Sequence, residues 1–99
     1  MEGKISEEQL SELRFIQYIS ILANSVMQQL GKIMNPVTGK MEKNLEAAKA
    51  TIDLISMLKE KTRGNLTANE EEVISNALAN LQLNYADEAS RMEKESGKQ

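Results

Sequence analysis

The sequence predicts an all-α protein: a three-helix single domain in which helices 2 and 3 form an antiparallel hairpin, and which assembles as a dimeric helical bundle. Apolar residues recur every three or four positions through most of the 99-residue chain, which is the period of a helix face. A capping residue precedes each such stretch, and the apolar–polar alternation of a strand does not occur. We therefore expect about three-quarters of the residues to be helical and none to lie in a strand.

One helical domain is predicted at residues 1–92, with helices at about 7–32, 45–63 and 68–92. A chain of this length forms one small domain. Residues 93–99 are polar, and we expect them to form a frayed tail because chain ends without packing partners are poorly ordered.

Helix 1 is predicted to begin after Ser6, whose hydroxyl can form a capping box with Gln9. It should end near Gly31, because glycine commonly terminates helices. Its core stripe steps by three or four residues, as expected for one face of a helix. The members of that stripe are Phe15, Ile19, Leu22 and Val26.

A second apolar stripe on helix 1 has no core left to cover it. Its residues are Leu13, Ile16, Tyr18 and Ile21. No charged residue occurs from Phe15 to Gly31, so no face in the middle of the helix suits water. We expect the uncovered side to pair with a second copy across a two-fold axis. The candidate dimer interface consists of Tyr18, Ile21, Ser25 and Gln28.

The connection at residues 32–43 is longer than most links between packed helices. It has four apolar residues, Ile33, Met34, Val37 and Met41. One interpretation is that it crosses the end of the bundle and covers the core there. The other is that it is a binding loop.

Local signals also delimit helices 2 and 3. Asn44 is the expected N-cap of helix 2, and Gly64 the expected C′ residue after it. Thr67 and Glu70 match a capping box at the start of helix 3. The predicted seam of helix 3 is Ile74, Leu78, Leu81, Tyr85, Ala89 and Met92.

The residue types present exclude several kinds of chemistry. The chain has no Cys, His or Trp, which rules out disulfides, Cys/His zinc sites and imidazole bases. Gly39-Lys40 lacks the spacing of a phosphate-binding loop, and consecutive carboxylates at 70–72 point to different sides of a helix. We predict no catalytic, cofactor-binding or metal-binding residue and no cofactor. Six polar side chains interrupt the charge-free stretch, so we expect no membrane span.

Lys59, Lys61 and Arg63 form a candidate basic patch. Residues 32–63 contain seven Lys or Arg and four Asp or Glu, although the whole chain has a net charge of -3. Such a segment could contact phosphates. The alternative is structural, with the short turn bringing the glutamates at 70–72 close enough to neutralise Arg63.

The segment Glu60-Lys61-Thr62-Arg63-Gly64-Asn65-Leu66-Thr67, followed by Glu70, resembles the bacterial family called domain of unknown function 1844. Further matching pieces are Leu30-Gly31, Pro36, Gly39, Asn44-Leu45 with Ala48, and Ile52-Asp53 with Ile55. The resemblance covers roughly Phe15 to Tyr85. The family often has arginine in the second half of helix 3, whereas residues 80–85 here contain no basic residue. The resemblance implies a small cytoplasmic bacterial protein and no particular activity.

From the residues we expect a non-enzymatic adaptor or accessory protein that forms a homodimer through helix 1 and binds an unidentified protein. One alternative is a translation- or nucleic-acid-associated factor that uses the basic end of helix 2. A weaker alternative is a small-molecule binder with an apolar pocket between helices. The acidic N-terminal segment is unlike a signal peptide, and we expect a cytoplasmic location.

Overall fold

The computed structural model describes residues 4–97, with the side chains of residues 4–95, and this part of the chain contains three helices and no strand. They are α1 (Glu7–Gln29), α2 (Leu45–Lys61) and α3 (Ala68–Gly97). The helical fraction of 74% confirms the expected three-quarters. Each helix packs against the other two, so the chain forms the predicted single all-α domain.

The core lies along the line where the three helices meet. Helix α1 contributes two apolar residues to it and the C-cap Leu30 a third, while α2 and α3 contribute three each. The buried apolar residues are Ile19, Val26, Leu30, Ala48, Ile52, Ile55, Ile74, Leu78 and Leu81. The stripe predicted on helix 1 is confirmed, because Ile19 and Val26 are buried while Phe15 and Leu22 pack against the core.

Helix α1 begins as predicted. The Ser6 hydroxyl accepts a hydrogen bond from the Gln9 amide at 3.0 Å, and the Ser6 amide donates to the Gln9 side chain at 2.9 Å. The helix ends at Gln29 rather than near residue 32. Gly31 has a φ of +75°, a left-handed conformation that stops the helix and favours glycine.

Helix α2 has the predicted N-cap, since the Asn44 side chain accepts a hydrogen bond from the Ala47 amide at 3.0 Å. It ends at Lys61 with Thr62 as C-cap, one residue earlier than the placement of Gly64 at C′ requires. Gly64 has a φ of +82°, so the predicted left-handed glycine is present but lies two residues after the cap.

Helix α3 also begins with the predicted capping box. The Glu70 amide donates to the Thr67 hydroxyl at 3.1 Å, and the Thr67 amide donates to the Glu70 carboxylate at 2.9 Å. Residues 93–97, part of the expected tail, continue the helix as far as Gly97, and the fraying of these last turns stays a prediction. Residues 98–99 lie outside the described part of the chain.

The bundle is long and exposes much surface for its mass. Its radius of gyration is 16.4 Å, compared with about 13 Å for a compact domain of this length. Its accessible surface is 7069 Å², roughly 1,400 Å² above the about 5,700 Å² typical of this mass. Part of the excess is the end of α3, where residues 90–95 are all exposed.

Candidate interaction surface

The side of α1 that faces away from the core is uncharged in its middle and partly apolar. Ile21 is 64% exposed and Tyr18 is 48% exposed. Ser25 lies one turn beyond Ile21 and is half-buried, as is Gln28. Helical spacing puts these side chains on one side of α1. Ile19 and Val26 lie on a different side, which packs into the core.

This side of α1 continues onto α2. Ser25 and Gln28 border one cavity together with Ala47 of α2. Leu54 lies two turns after Ala47 on the same side of α2 and is exposed. We call the combined surface the α1/α2 face, and its residues are Tyr18, Ile21, Ser25, Gln28, Ala47 and Leu54. The four residues predicted on α1 therefore share a surface, although the structure describes a single copy and not a dimer.

The two α2 residues of this face were not identified from the sequence. Leu54 follows Asp53, which is exposed, and precedes Ile55, which is buried. The available signal was the spacing of Ala47, Ala50 and Leu54, which marks a second apolar side of α2 beside its core stripe.

The linker forms a hydrogen-bonded turn at one end of the α1/α2 face. The Asn35 amide donates to the Lys40 carbonyl at 2.9 Å, and the Gly39 amide donates to the Asn35 carbonyl at 2.8 Å. The Asn35 side chain accepts from the Val37 amide at 2.8 Å. Asn35 and Glu42 complete the walls of the cavity that Ser25 and Gln28 border. We call residues 35–40 the linker turn.

The apolar residues of the linker do not cover the core, contrary to the first interpretation. Val37 is 90% exposed, and Met34 and Met41 are also exposed. Only Ile33 is half-buried. The turn is held by its own hydrogen bonds, so it projects these side chains away from the bundle. The alternative of a binding loop therefore stays open.

The cavity at this junction is polar, whereas a small-molecule binder was expected to have an apolar pocket. Its lining residues are Ser25, Gln28, Gln29, Asn35, Glu42, Asn44 and Ala47. The side-chain oxygen of Gln29 is buried and has no hydrogen-bond partner among the described residues. A buried carbonyl oxygen is commonly satisfied by water, and this lining fits water better than an apolar ligand.

A buried carboxylate fastens the linker to α3. Glu88 is 4% exposed, and its oxygens lie 2.8 Å from the Lys32 ammonium and 2.7 Å from that of Lys43. Lys32 also contacts Asp87 at 3.0 Å. The hydrogen bonds from Lys32 and Lys43 lower the pKa of Glu88 to about 2. The bonds to Glu88 and Asp87 raise the pKa of Lys32.

Glu88 replaces the predicted seam residue Ala89. The seam steps by four, three and four residues from Ile74 to Tyr85, and a further step of three reaches Glu88. Ala89 is only half-buried, and Met92, also predicted in the seam, is exposed. The sequence pattern predicts Ala89 instead, because a carboxylate at a core position is rare unless it is paired.

A second polar contact joins α1 to the start of α3. The Thr67 hydroxyl donates to the Glu12 carboxylate at 2.6 Å, and the Asn69 side chain donates to it at 3.2 Å. These two hydrogen bonds, chiefly the one from Thr67, lower the pKa of Glu12. Thr67 therefore both caps α3 and contacts α1.

The candidate basic patch does not form one surface. Lys59 is half-buried, whereas Lys61 and Arg63 are exposed, and two residues of separation put Lys59 and Lys61 on different sides of the helix. Arg63, which follows the end of α2, pairs with Glu60 of that helix at 2.6 Å. Glu70 is buried in the capping box and bonds to Thr67 rather than to Arg63, so neutralisation of Arg63 by Glu71 or Glu72 stays a prediction.

Among the described residues, no group of three or more acidic side chains is placed to hold a metal ion. None of the described helices is long and apolar enough to cross a membrane.

Comparison with curated proteins gives no match, and comparison with solved structures gives none either. The profile of one protein family matches residues 12–87. That range contains the whole of the predicted resemblance, including the α2–α3 turn and Gly64. Since the match spans most of the chain, this protein belongs to the family described as Domain of unknown function (DUF1844).

Proposed function

We propose that this chain is a non-enzymatic helical interaction module that self-associates through α1 and serves as an adaptor or accessory to another protein. The observation that carries the proposal is the α1/α2 face, where Ile21 and Tyr18 are exposed on a stretch of helix without charge. A cytoplasmic, bacterial setting is also proposed, and it rests on the family resemblance alone.

A second copy of the chain suits this face because the face is complementary to itself. A patch with one sign of charge repels an identical patch, whereas the middle of α1 has no charge. Its amide and hydroxyl groups, such as Ser25 and Gln28, can each donate and accept hydrogen bonds. Ile21 supplies apolar area at the centre, where a two-fold axis would bring it against its own copy.

The amount of surface also fits an association. A standard protein–protein interface buries about 800 Å² of each partner. The accessible surface of 7069 Å² exceeds that of a typical monomer of this mass by more than this amount. Burying a standard area of the α1/α2 face would remove a little more than half of this excess, and the exposed end of α3 accounts for part of the remainder.

The test is sedimentation equilibrium of the parent, of Ile21→Glu and of Leu83→Glu at tens of micromolar. Leu83 is a matched control because it is an exposed apolar residue on α3, away from the α1/α2 face. We expect dimers for the parent and for Leu83→Glu. Ile21→Glu should be monomeric, because burying two unpaired carboxylates near the axis costs several kcal/mol.

A monomeric parent would contradict self-association. A monomeric Leu83→Glu variant would show that any surface charge dissociates the dimer, and the α1/α2 face would lose its support. Circular dichroism of each variant shows whether it is still helical, so unfolding is not mistaken for dissociation.

The adaptor role is tested with nuclease-treated native lysate and tagged parent protein. A protein that co-purifies and then binds the pure chain directly in a titration supports the role. Partners that disappear on nuclease treatment would instead favour the nucleic-acid alternative.

A further inference from the structure

We propose that two copies pack with their α1 helices antiparallel about an axis at Ile21, and that the linker turn of each copy seats against the first turns of α1 in the other. The inference rests on the proposed self-association. It adds the orientation of the two copies and a second contact that the α1/α2 face alone does not contain.

Antiparallel packing about Ile21 brings unlike neutral residues together. Residues at equal distances from the axis face each other, so Gln17 meets Ser25 of the second copy, and Tyr18 meets Asn24. Each of these pairs joins a group that can donate to one that can accept. No charge lies within six residues of Ile21 on either side, because none occurs between Phe15 and Gly31. At the seventh position the exposed Arg14 faces Gln28 of the second copy, at the margin of the contact.

The position of Ile21 along α1 gives the second contact. Measured at 1.5 Å per residue, α1 extends about 21 Å from Ile21 back to Glu7 but only about 12 Å forward to Gln29. The first turns of α1 in the second copy therefore overhang the end of this helix by about 9 Å. The linker turn lies at that end, where Asn35 borders the α1/α2 face.

Both parts of this second contact have exposed apolar side chains. Val37, Met34 and Met41 are exposed at the linker. Ile5 and Leu13 are exposed at the start of α1. Neither group has an apolar neighbour sufficient to cover it within one copy, and the antiparallel arrangement brings the two together.

The charges at the two ends favour the same orientation. The first turn of α1 is acidic, with Glu7 and Glu8, and both are exposed. Lys40 is exposed in the linker turn, whereas Lys32 and Lys43 are already paired with Glu88. Antiparallel packing places Lys40 near these glutamates. Parallel packing would instead place the glutamates of one copy against those of the other.

Single cysteines distinguish the two orientations, since the chain has no cysteine of its own. Under mild oxidation, Ile21→Cys should form a covalent dimer because it meets its own copy at the axis. In the antiparallel arrangement, two copies of Gln17→Cys are separated by about 12 Å along the helices, too far for a disulfide. Gln28→Cys should fail for the same reason. A mixture of Ile5→Cys and Val37→Cys proteins should yield a covalent heterodimer.

Cross-linking of Gln17→Cys or Gln28→Cys at the rate of Ile21→Cys would overturn the antiparallel orientation. Absence of the Ile5–Val37 heterodimer would overturn the second contact. These results are distinct from the one that would contradict the proposed function, which is a parent protein that sediments as a monomer.

A charge exchange gives a non-covalent test of the same contact. Lys40→Glu should raise the dimer dissociation constant about tenfold, because a two-fold dimer loses the contact twice and each exposed pair contributes modestly. Glu8→Lys in the same chain should restore most of the affinity. A double variant as weak as Lys40→Glu alone would show that the two sites do not meet.

Discussion

Replacing Glu88 by Gln removes the one negative charge that both Lys32 and Lys43 contact. Glutamine has nearly the same shape, so packing around the site is kept. The side chains of Lys32 and Lys43 are 23% and 37% exposed, and their ammonium groups lose the carboxylate that compensates their partial removal from water. The change therefore isolates the electrostatic part of the attachment between the linker and α3.

The magnitude follows from the pKa of Glu88, which falls from an ordinary 4.5 to about 2. A shift of this size corresponds to roughly 3 kcal/mol of preference for the charged form in the folded state. Water reaches both lysines and screens part of the interaction. We therefore expect Glu88→Gln to lower the free energy of unfolding by about 2 kcal/mol at pH 7.

The pH dependence has a definite direction. Because folding lowers the pKa of Glu88, its contribution is complete above the unfolded value near 4.5 and is lost as the pH falls towards about 2. The difference between parent and Glu88→Gln should therefore be constant from pH 7 to about pH 5 and shrink below it.

Urea denaturation at one fixed protein concentration measures this difference at each pH. Asp53→Asn is the matched control, because Asp53 pairs with Lys49 at 3.2 Å on an exposed surface, and such pairs contribute about 0.5 kcal/mol or less. Equal midpoints for parent and Glu88→Gln at pH 7 would refute the reasoning, as would a difference that is unchanged at pH 3.

Three further stability predictions concern residues at or near the helix ends. Gly64→Ala should cost about 1 kcal/mol from its left-handed backbone alone, since no atom lies within 4 Å of an added Cβ. Gly31→Ala should cost more, because its Cβ would lie 3.3 Å from the Glu42 carbonyl oxygen; equal urea midpoints for the two variants would contradict this. Thr67→Ala should cost about 1–2 kcal/mol, for the cap and the bond to Glu12. Thr67→Ser should keep most of that stability, and a serine variant as unstable as alanine would show that the hydroxyl does not matter.

The helix starts were predictable because their signals are local. Ser6, Asn44 and Thr67 each act on an amide three residues away, so the sequence contains both partners of each hydrogen bond side by side. The core stripes were predictable for a similar reason, since a helical period is visible in one segment at a time.

The contacts that were missed join residues far apart in the chain. Glu88 contacts lysines more than 40 positions earlier, and Glu12 contacts Thr67 at a separation of 55. No local pattern marks such pairs, and a buried glutamate contradicts the usual preference of its residue type. The interpretation that the linker covers the core failed for a different reason. The apolar residues of the linker suggested burial, but the hydrogen bonds of Asn35 fix a turn whose apolar side chains are exposed to solvent.

The length of α3 also affects how its last turns form. Residues 90–95 are exposed on all sides, and a separate helix of so few residues would be unstable in water because its first turn is costly to nucleate. Here the packed turns before Glu88 supply the nucleus, and the remaining residues add to it one hydrogen bond at a time. We therefore expect the end of α3 to shorten and lengthen residue by residue, while the packed part of the bundle stays folded.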